Sequence, residues 1–394
     1  MEPIGWIEII TRLLAQLTPV LITLAALLAI SFLFKRKLGL YGKLYDSWIG
    51  IIGFTLVMFW VFTGLFGAFD LIMTHDPLSI PGDQIEARRL QNALPGTPFT
   101  ANSGEYPYYL LGGDHQGRDV FSRMVDGAWT VILIAPCATL FAFMAGIILG
   151  LPAGYYGGRL DTVLTFLANL VLSFPVILLF YLLVTPEITD SALPRVMAGI
   201  LFLFPIIFLI ILLNSRFYTQ PTKRNILLAV TVLFGGWIYL GTAWNADPLG
   251  VIVFPANILI VFVAVVFVNS PTVFRIVRGL TFDIKTRDYV AAAQTRGEGN
   301  WYIMLWEILP NVRGPLIVDF CLRIGYTTIL LGTLGFFGLG LSPESSNWGA
   351  TISAGSDLLR RAAHPAVVPA LALLTLVLGL NMLADGLREE SLKD

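Results

Sequence analysis

The chain has 394 residues, of which 56% are hydrophobic and 13% charged, with a mean hydropathy of +0.77. Soluble domains are about 45–50% apolar and about 25% charged, so that class is excluded, and intrinsic disorder with it. A net charge of −1 argues against a nucleic-acid binder that works through a basic surface. The two cysteines, Cys137 and Cys321, sit in apolar runs and offer neither a disulfide framework nor a Cys/His metal spacing. What remains is a polytopic membrane protein.

Nine apolar runs are long enough, or nearly so, to cross a bilayer. They are Ile9–Phe34, Trp48–Phe69, Ala128–Pro152, Leu160–Val184, Val196–Leu213, Ile226–Trp244, Val251–Val268, Leu316–Leu341 and Ala366–Ala384. Such runs satisfy their own backbone amides as helices, and the period-2 alternation of a membrane barrel is absent. The first run reads as a retained helix rather than a signal peptide. It has no basic n-region and ends in Lys35-Arg36-Lys37 instead of a small-residue cleavage site.

Every second loop is basic: Lys35 to Lys43, Arg159, Arg216 to Arg224, Arg275 to Arg313, then Arg388 and Lys393; the long outer stretch 70–127 holds four arginines, but long loops translocate largely regardless of charge. The alternate short loops 185–194 and 245–250 have none. This bias predicts an N-terminus outside and a cytoplasmic C-terminus. Trp48, Trp129, Trp237 and Trp244 at span ends read as interfacial anchors.

Residues 70–127 form a long outer stretch, rich in turn formers, that ends in Leu111-Gly112-Gly113-Asp114-His115-Gln116-Gly117-Arg118-Asp119-Val120-Phe121-Ser122-Arg123. The glycines predict a tight turn, and the alternating charges predict a water-facing helix start. Gly113, Asp114, Gly117, Arg118 and Asp119 are the candidate residues here.

The longest inner segment, 270–315, is basic and holds two short helical stretches. Asp288-Tyr289-Val290-Ala291-Ala292-Ala293-Gln294-Thr295-Arg296-Gly297 predicts a helix with an acidic start and a glycine end. Its three alanines leave a low surface that another protein's groove can approach. Trp301 to Leu309 predicts a bulky amphipathic helix stopped by Pro310, so the pair forms a bracket under the membrane. Asp288, Tyr289, Ala291, Ala292, Ala293, Gly297, Leu309 and Pro310 are its candidate residues.

Within the spans, Asp319 and Arg323 stand i,i+4 on one helical face and invite two readings, an intramembrane ion pair or part of a translocation path. Asn169 and Asn381 suit interhelical hydrogen bonds. Gly332, Gly335, Gly338 and Gly340 suit close helix contact and a bend. His75, His115 and His364 fall in outer loops without a ligating partner, so no metal site is expected. No G-x-x-x-x-G-K-[ST] phosphate loop occurs, and no catalytic constellation lies in the spans, so the chain is not expected to be an enzyme or to hydrolyse ATP itself.

The spacing in the bracket resembles the EAA loop of ABC-importer permeases. Ala292-Ala293 is followed by Gly297 and then by Leu309-Pro310, twelve and thirteen residues beyond the glycine. The segment Leu111 to Arg123 resembles the one before the transport core of dipeptide/oligopeptide permeases of the C-subunit type. Ala153-Gly154-Tyr155-Tyr156-Gly157-Gly158-Arg159-Leu160-Asp161 and Leu172-Ser173-Phe174-Pro175 match the next landmarks. Phe336 to Pro343, Asn347-Trp348-Gly349 and Asn381 to Arg388 complete the order.

The resemblance implies an all-α polytopic membrane protein of about nine transmembrane helices. It would comprise a type I ABC importer permease core, an extra N-terminal helix and a two-helix insertion. The implied divisions are residues 1–47 as the extra helix and basic loop, 48–127 as the first family helix and outer loop, and 128–394 as the core, with extra helices at 186–250. It also implies a second homologous permease subunit, two ATP-binding subunits or domains and an extracytoplasmic solute-binding protein as partners. ATP and Mg would be used by those partners, and this chain would bind no cofactor.

Peptides are the implied substrate; relatives of this type also carry oligosaccharides, opines and nickel chelates. Three features depart from the pattern, one being the inserted stretch 186–250 together with the additional first span. Ala291 replaces the loop's glutamate, and Glu307 stands where a basic residue or histidine is common. The insertion is expected to pack peripherally, against lipid or a neighbouring subunit. An ion-coupled secondary transporter would need repeated halves and several intramembrane carboxylates, of which only Asp319 is clear.

Overall fold

The computed structural model describes residues 2–81, 84–99, 106–252, 255–339 and 345–391. Seven described helices are long and apolar enough to span a bilayer, and counting each of two bent pairs as one span brings the total to nine. The first bent pair is α1 (Trp6–Gln16) and α2 (Thr18–Leu33), which meet at 57°. Pro19 lies in the first turn of α2, where a missing N–H costs no helical bond, so the apolar run breaks there rather than continuing straight. Next comes α3 (Trp48–Ala68), capped by Ser47, whose hydroxyl accepts from the Gly50 N–H at 3.3 Å.

The stretch before the core holds a short helix, α4 (Gln84–Leu90), and an antiparallel pair, β1 (Thr97–Pro98) with β2 (Tyr108–Tyr109). A long helix, α5 (Val120–Tyr156), follows. The second bent pair, α6 (Gly158–Leu172) and α7 (Val176–Val184), turns by 79° at Ser173-Phe174-Pro175. The residue before a proline disfavours helical backbone, so Leu160–Val184 is two helices and not one straight rod.

The inserted segment supplies α8 (Leu193–Leu201), α9 (Leu203–Arg216) and α10 (Pro221–Trp244). Asn245, at φ +50°, ends α10, and Asp247 closes the following turn. Hydrogen bonds from the Ile252, Leu249 and Val251 amides and the Trp237 indole hold the Asp247 carboxyl at about 2. The remaining elements are α11 (Ala256–Ile284), α12 (Asp288–Thr295), α13 (Arg313–Phe336), α14 (Trp348–Ser356) and α15 (His364–Ser391). Gly340, Leu341, Ser342 and Pro343 of the C-terminal motif, and Lys393, lie outside the described residues.

The chain divides into two compact units, Met1–Pro136 with Cys321–Asp394 and Cys137–Phe320. Each therefore takes part of α5 and part of α13. In the first unit, α3 presents Gly50, Gly53, Val57, Trp60, Gly64 and Gly67 along one stripe. Gly50 meets the Gly386 Cα and Gly53 meets the backbone of Gly379 and Leu383, while Gly64 and Gly67 meet Trp129 and Val125 at the start of α5. Lipid gives two helices no hydrophobic reason to associate, so small residues that let backbones touch set the packing. Gly332, Gly335 and Gly349 do the same between α13 and α14: a Cβ on Gly349 would lie 2.0 Å from the Gly332 carbonyl.

In the second unit, α11 is deeply buried. Its Arg278 pairs with Asp161 on α6, and Arg275 Nη2 donates to Asn169 Oδ1 at 3.0 Å, the interhelical bond that Asn169 suggested. Asn381 instead lies on the exposed side of α15. Phe141, Phe202 and Phe262 form an edge-to-face triad with centroids 5.2–5.5 Å apart that fastens α8 to α5 and α11.

The α3–α15 contact yields a direct prediction. Gly53→Leu, with a Cβ 2.3 Å from the Leu383 amide, costs about 3 kcal/mol and lowers the melting temperature of the purified protein. Gly236→Ala on α10, which meets nothing within 4 Å, leaves it unchanged.

Candidate functional site

The bracket residues come together on the second unit. α12 runs from Asp288 to Thr295 as the sequence predicts, and Gly297 closes it at φ +77°. The Gly297 amide donates to Gln294 O at 2.9 Å and the Glu298 amide to Ala293 O at 3.2 Å, a Schellman closure that needs the left-handed backbone glycine tolerates. Val290 and Ala293 are fully buried, whereas Asp288, Ala291, Ala292 and Gly297 are exposed and Tyr289 is half-buried. Burial raises the Tyr289 phenol above its ordinary pKa.

The second arm differs from expectation: Pro310 does not stop it. Asn300–Tyr302 is α-helical, Ile303–Ile308 widens to a π-helix, Leu309–Val312 tightens to 3-10, and α13 continues directly to Phe336. Proline lacks a donor and crowds the carbonyl one turn back. A wider turn before it and a tighter one around it absorb both effects without ending the helix. Leu309 is half-buried and Pro310 exposed.

Under α12 lies an apolar seat. Val290, Ala293, Ile303, Met304, Leu305, Ile308 and Val312 pack with Phe143 and Leu151 of α5, Val273 and Val277 of α11 and Leu316 of α13. Polar ties frame it: Gln294 Nε2 donates to the Tyr155 hydroxyl at 3.0 Å, and Lys285 Nζ to Gly154 O at 2.9 Å. Arg296 Nη2 donates to Glu307 Oε1 at 2.8 Å, so the unusual acid at 307 joins the two arms. The result is an exposed strip of small residues on a short helix whose base is continuous with three long helices.

Asp319 and Arg323 stand one turn apart on α13, half-buried and buried respectively, and neither is without a partner.

The charged turn before α5 belongs to the first unit, and here the water-facing reading is overturned. Asp114, Arg118, Asp119 and Arg123 are all buried, at 0–4% exposure. Gly117 turns at φ +83°, and Gly113 bridges Asp119 across the turn. Asp114 Oδ1 accepts from the Gln116 and Arg118 amides, and Oδ2 accepts from Arg118 Nε at 2.8 Å, with Arg123 Nε 3.6 Å away. Asp119 caps α5 by accepting from the Ser122 amide at 3.0 Å. The same oxygen accepts from the Thr74 and Ser122 hydroxyls.

Arg123 donates to Pro77 O at 3.1 Å and to Ser345 O at 2.8 Å. Opposite charges are buried side by side, with Asp119 Oδ1 and Arg123 Nε left without a hydrogen bond, so the turn is a buried lock rather than a water-facing start. Thr74, Ser122 and Arg123 are not among the candidate residues; Asp119 at a helix-cap position points to Ser122, whereas no local pattern points to Thr74 or Arg123. His75 Nδ1 lies 3.4 Å from Asp119, and His364, at the head of α15, contacts Gly113 O at 3.2 Å. Among the described residues no group of His, Cys, Asp and Glu is placed to hold a metal ion.

Two predictions follow for the lock. Asp114→Asn removes the carboxylate that accepts from Arg118 and lies beside Arg123, and costs on the order of 3 kcal/mol, read as a lower melting temperature. Burial works against the Asp119 carboxylate, but His75, Thr74 and Ser122 together hold its pKa below the usual range. Its contribution is therefore complete above the unfolded value near about 3.9 and is lost as pH falls through the folded value. Melting temperature against pH should show an acid-limb loss that Asp119→Asn removes.

Comparison with known proteins agrees with this architecture. The dipeptide transport system permease protein DppC of Haemophilus influenzae is 28% identical over 319 residues, 81% of this chain and 84% of that protein. The glutathione transport system permease protein GsiD of Pectobacterium atrosepticum is 28% identical over 288 residues, 73% of each chain. The probable D,D-dipeptide transport system permease protein DdpC of Escherichia coli is 27% identical over 318 residues, 81% of this chain and 79% of that protein. Residues 146–389, which contain both the bracket and the insertion, match the family described as the binding-protein-dependent transport system inner membrane component. The chain is a multi-pass permease component of an ABC importer and belongs to that family.

Proposed function

We propose that this chain is one of two homologous permease subunits through which an importer carries peptides across the cytoplasmic membrane. The relatives named for dipeptide, D,D-dipeptide and glutathione systems support that substrate class. Two ATP-binding subunits or domains supply the energy, using ATP and Mg, and this chain binds no cofactor and does no chemistry of its own. An extracytoplasmic solute-binding protein delivers cargo to the side of residues 70–127 and 342–365. The N-terminus lies outside, and the bracket and C-terminus face the cytoplasm, as the lysine and arginine bias predicts.

The observation that carries this reading is the seating of α12. Its exposed strip of Ala291, Ala292 and Gly297 offers a low profile to a groove on an ATPase, while Val290 and Ala293 lock its other face to the core. When two ATPases close on nucleotide, the displacement of α12 passes through Met304 and Ile308 into α13, and rigid helices carry it to the pore. The ligands bias a two-state bundle, which is alternating access.

Gly297 tests it. A β-branched side chain at φ +77° is strained whatever the surrounding space, and a Cβ there meets nothing within 4 Å, so the damage stays local. Gly297→Val should abolish ATP-driven uptake while the protein still inserts in the membrane, and Gly297→Asn, which tolerates the left-handed region, should retain uptake. Undiminished uptake by the valine variant would remove the coupling role.

A further inference from the structure

The insertion does not pack only at the periphery. Its inner helix, α9, aligns Phe208, Ile211, Leu212 and Ser215 at i, i+3, i+4 and i+7, and the first three pack on the same apolar cluster that seats the bracket. Ser215 is buried; its hydroxyl donates to Leu212 O at 3.0 Å and accepts from the Trp306 indole N–H at 3.1 Å. The Arg216 guanidinium lies 4.6 Å over the Trp306 ring. Beyond it, Tyr218 meets Tyr302 edge-on, with centroids 6.3 Å apart.

Trp306 is therefore held from two sides by consecutive residues of the insertion, at the middle of the π-helical turn Ile303–Ile308. An indole has one donor, and a tryptophan near a membrane surface ordinarily gives it to water or a headgroup. Here it goes to a buried serine, an arrangement that fixes a position instead of wetting one.

The other end of the insertion is anchored as well. Phe202 sits in the triad with Phe141 and Phe262, and the Tyr239 hydroxyl donates to Gly199 O at 3.1 Å. Phe208 also shares with Leu309, Leu316 and Phe320 the lining of an apolar groove of about 330 Å3.

We propose that α9 is a strut of the transport machinery, with Ser215 and Arg216 as positioning residues that hold Trp306 so that displacement of α12 enters α13. The inference rests on the coupling role given to the bracket. A π-helical turn holds an extra residue per turn and is a soft point in the arm. Without the strut, motion delivered at α12 dissipates as a swing of Trp301 to Ile308, and nucleotide is hydrolysed without a matching passage of cargo. The insertion thus sets how many solutes move per ATP.

The test uses the complete transporter, this chain with its ATPase, permease and binding-protein partners, in proteoliposomes, with uptake and ATP hydrolysis read in the same sample. In Ser215→Ala/Arg216→Gln, uptake per ATP should fall about tenfold, the factor for losing one net hydrogen bond and one cation–π contact together. ATP hydrolysis and the amount of chain in the membrane should stay at the wild-type level. Arg216→Lys, which keeps a cation over the ring, should restore most of the ratio when Ser215 is intact. Trp306→Phe, which removes the indole N–H and shrinks the ring under Arg216, supplies the same readout if the double variant fails to insert. An unchanged ratio, or a fall of uptake and hydrolysis in step, overturns the strut. If Gly297→Val is inactive and the ratio in the strut variants is unchanged, only the strut fails; if Gly297→Val transports normally, the coupling role itself fails.

Discussion

The apolar seat beneath α12 is the contact on which the rest of the permease depends. A helix of eight residues has no stability of its own in water. Val290 and Ala293, both fully buried against Ile303, Met304 and Ile308, supply what backbone hydrogen bonding cannot. The same cluster includes Phe143, Leu151, Val273, Val277 and Leu316, so α12 is packed against α5, α11 and α13 at once.

The first unit uses two different adhesives, for physical reasons that follow from their surroundings. Where helices cross within the apolar layer, glycine stripes on α3 and between α13 and α14 bring backbones together, since lipid offers no hydrophobic gain for doing so. At the turn leading into α5, the chain leaves that layer, and polar groups take over. Asp114 and Asp119 satisfy amides, hydroxyls and arginines that would otherwise be buried unpaired. Arg123 then reaches to Pro77 and Ser345, tying the outer stretch to the segment before α14.

The helices of residues 186–250 are tied to their neighbours by specific side chains. An added helix with only an apolar face would slide in lipid. Ser215 and Arg216 give α9 a fixed register on Trp306, and Phe202 gives α8 one on Phe262.

Much of this was determined by the sequence alone. Length and polarity of the runs place the spans, because a bilayer demands about 20 apolar residues with internally paired backbones. Local chemistry also places α12 and its glycine end, since Ala292, Ala293 and Gly297 act through propensity and backbone freedom that need no distant partner. The tertiary structure decided the remainder. Alternating Asp and Arg at 114–123 reads equally well as a solvated face or a buried lock, and only the arrival of Thr74, Pro77 and Ser345 selects the lock. Pro310 reads as a stop because proline breaks an isolated helix; the winding of Ile303–Val312 on a packed core lets the chain pass it. The bond between Ser215 and Trp306 joins residues 91 apart, and no pattern within either segment announces the other.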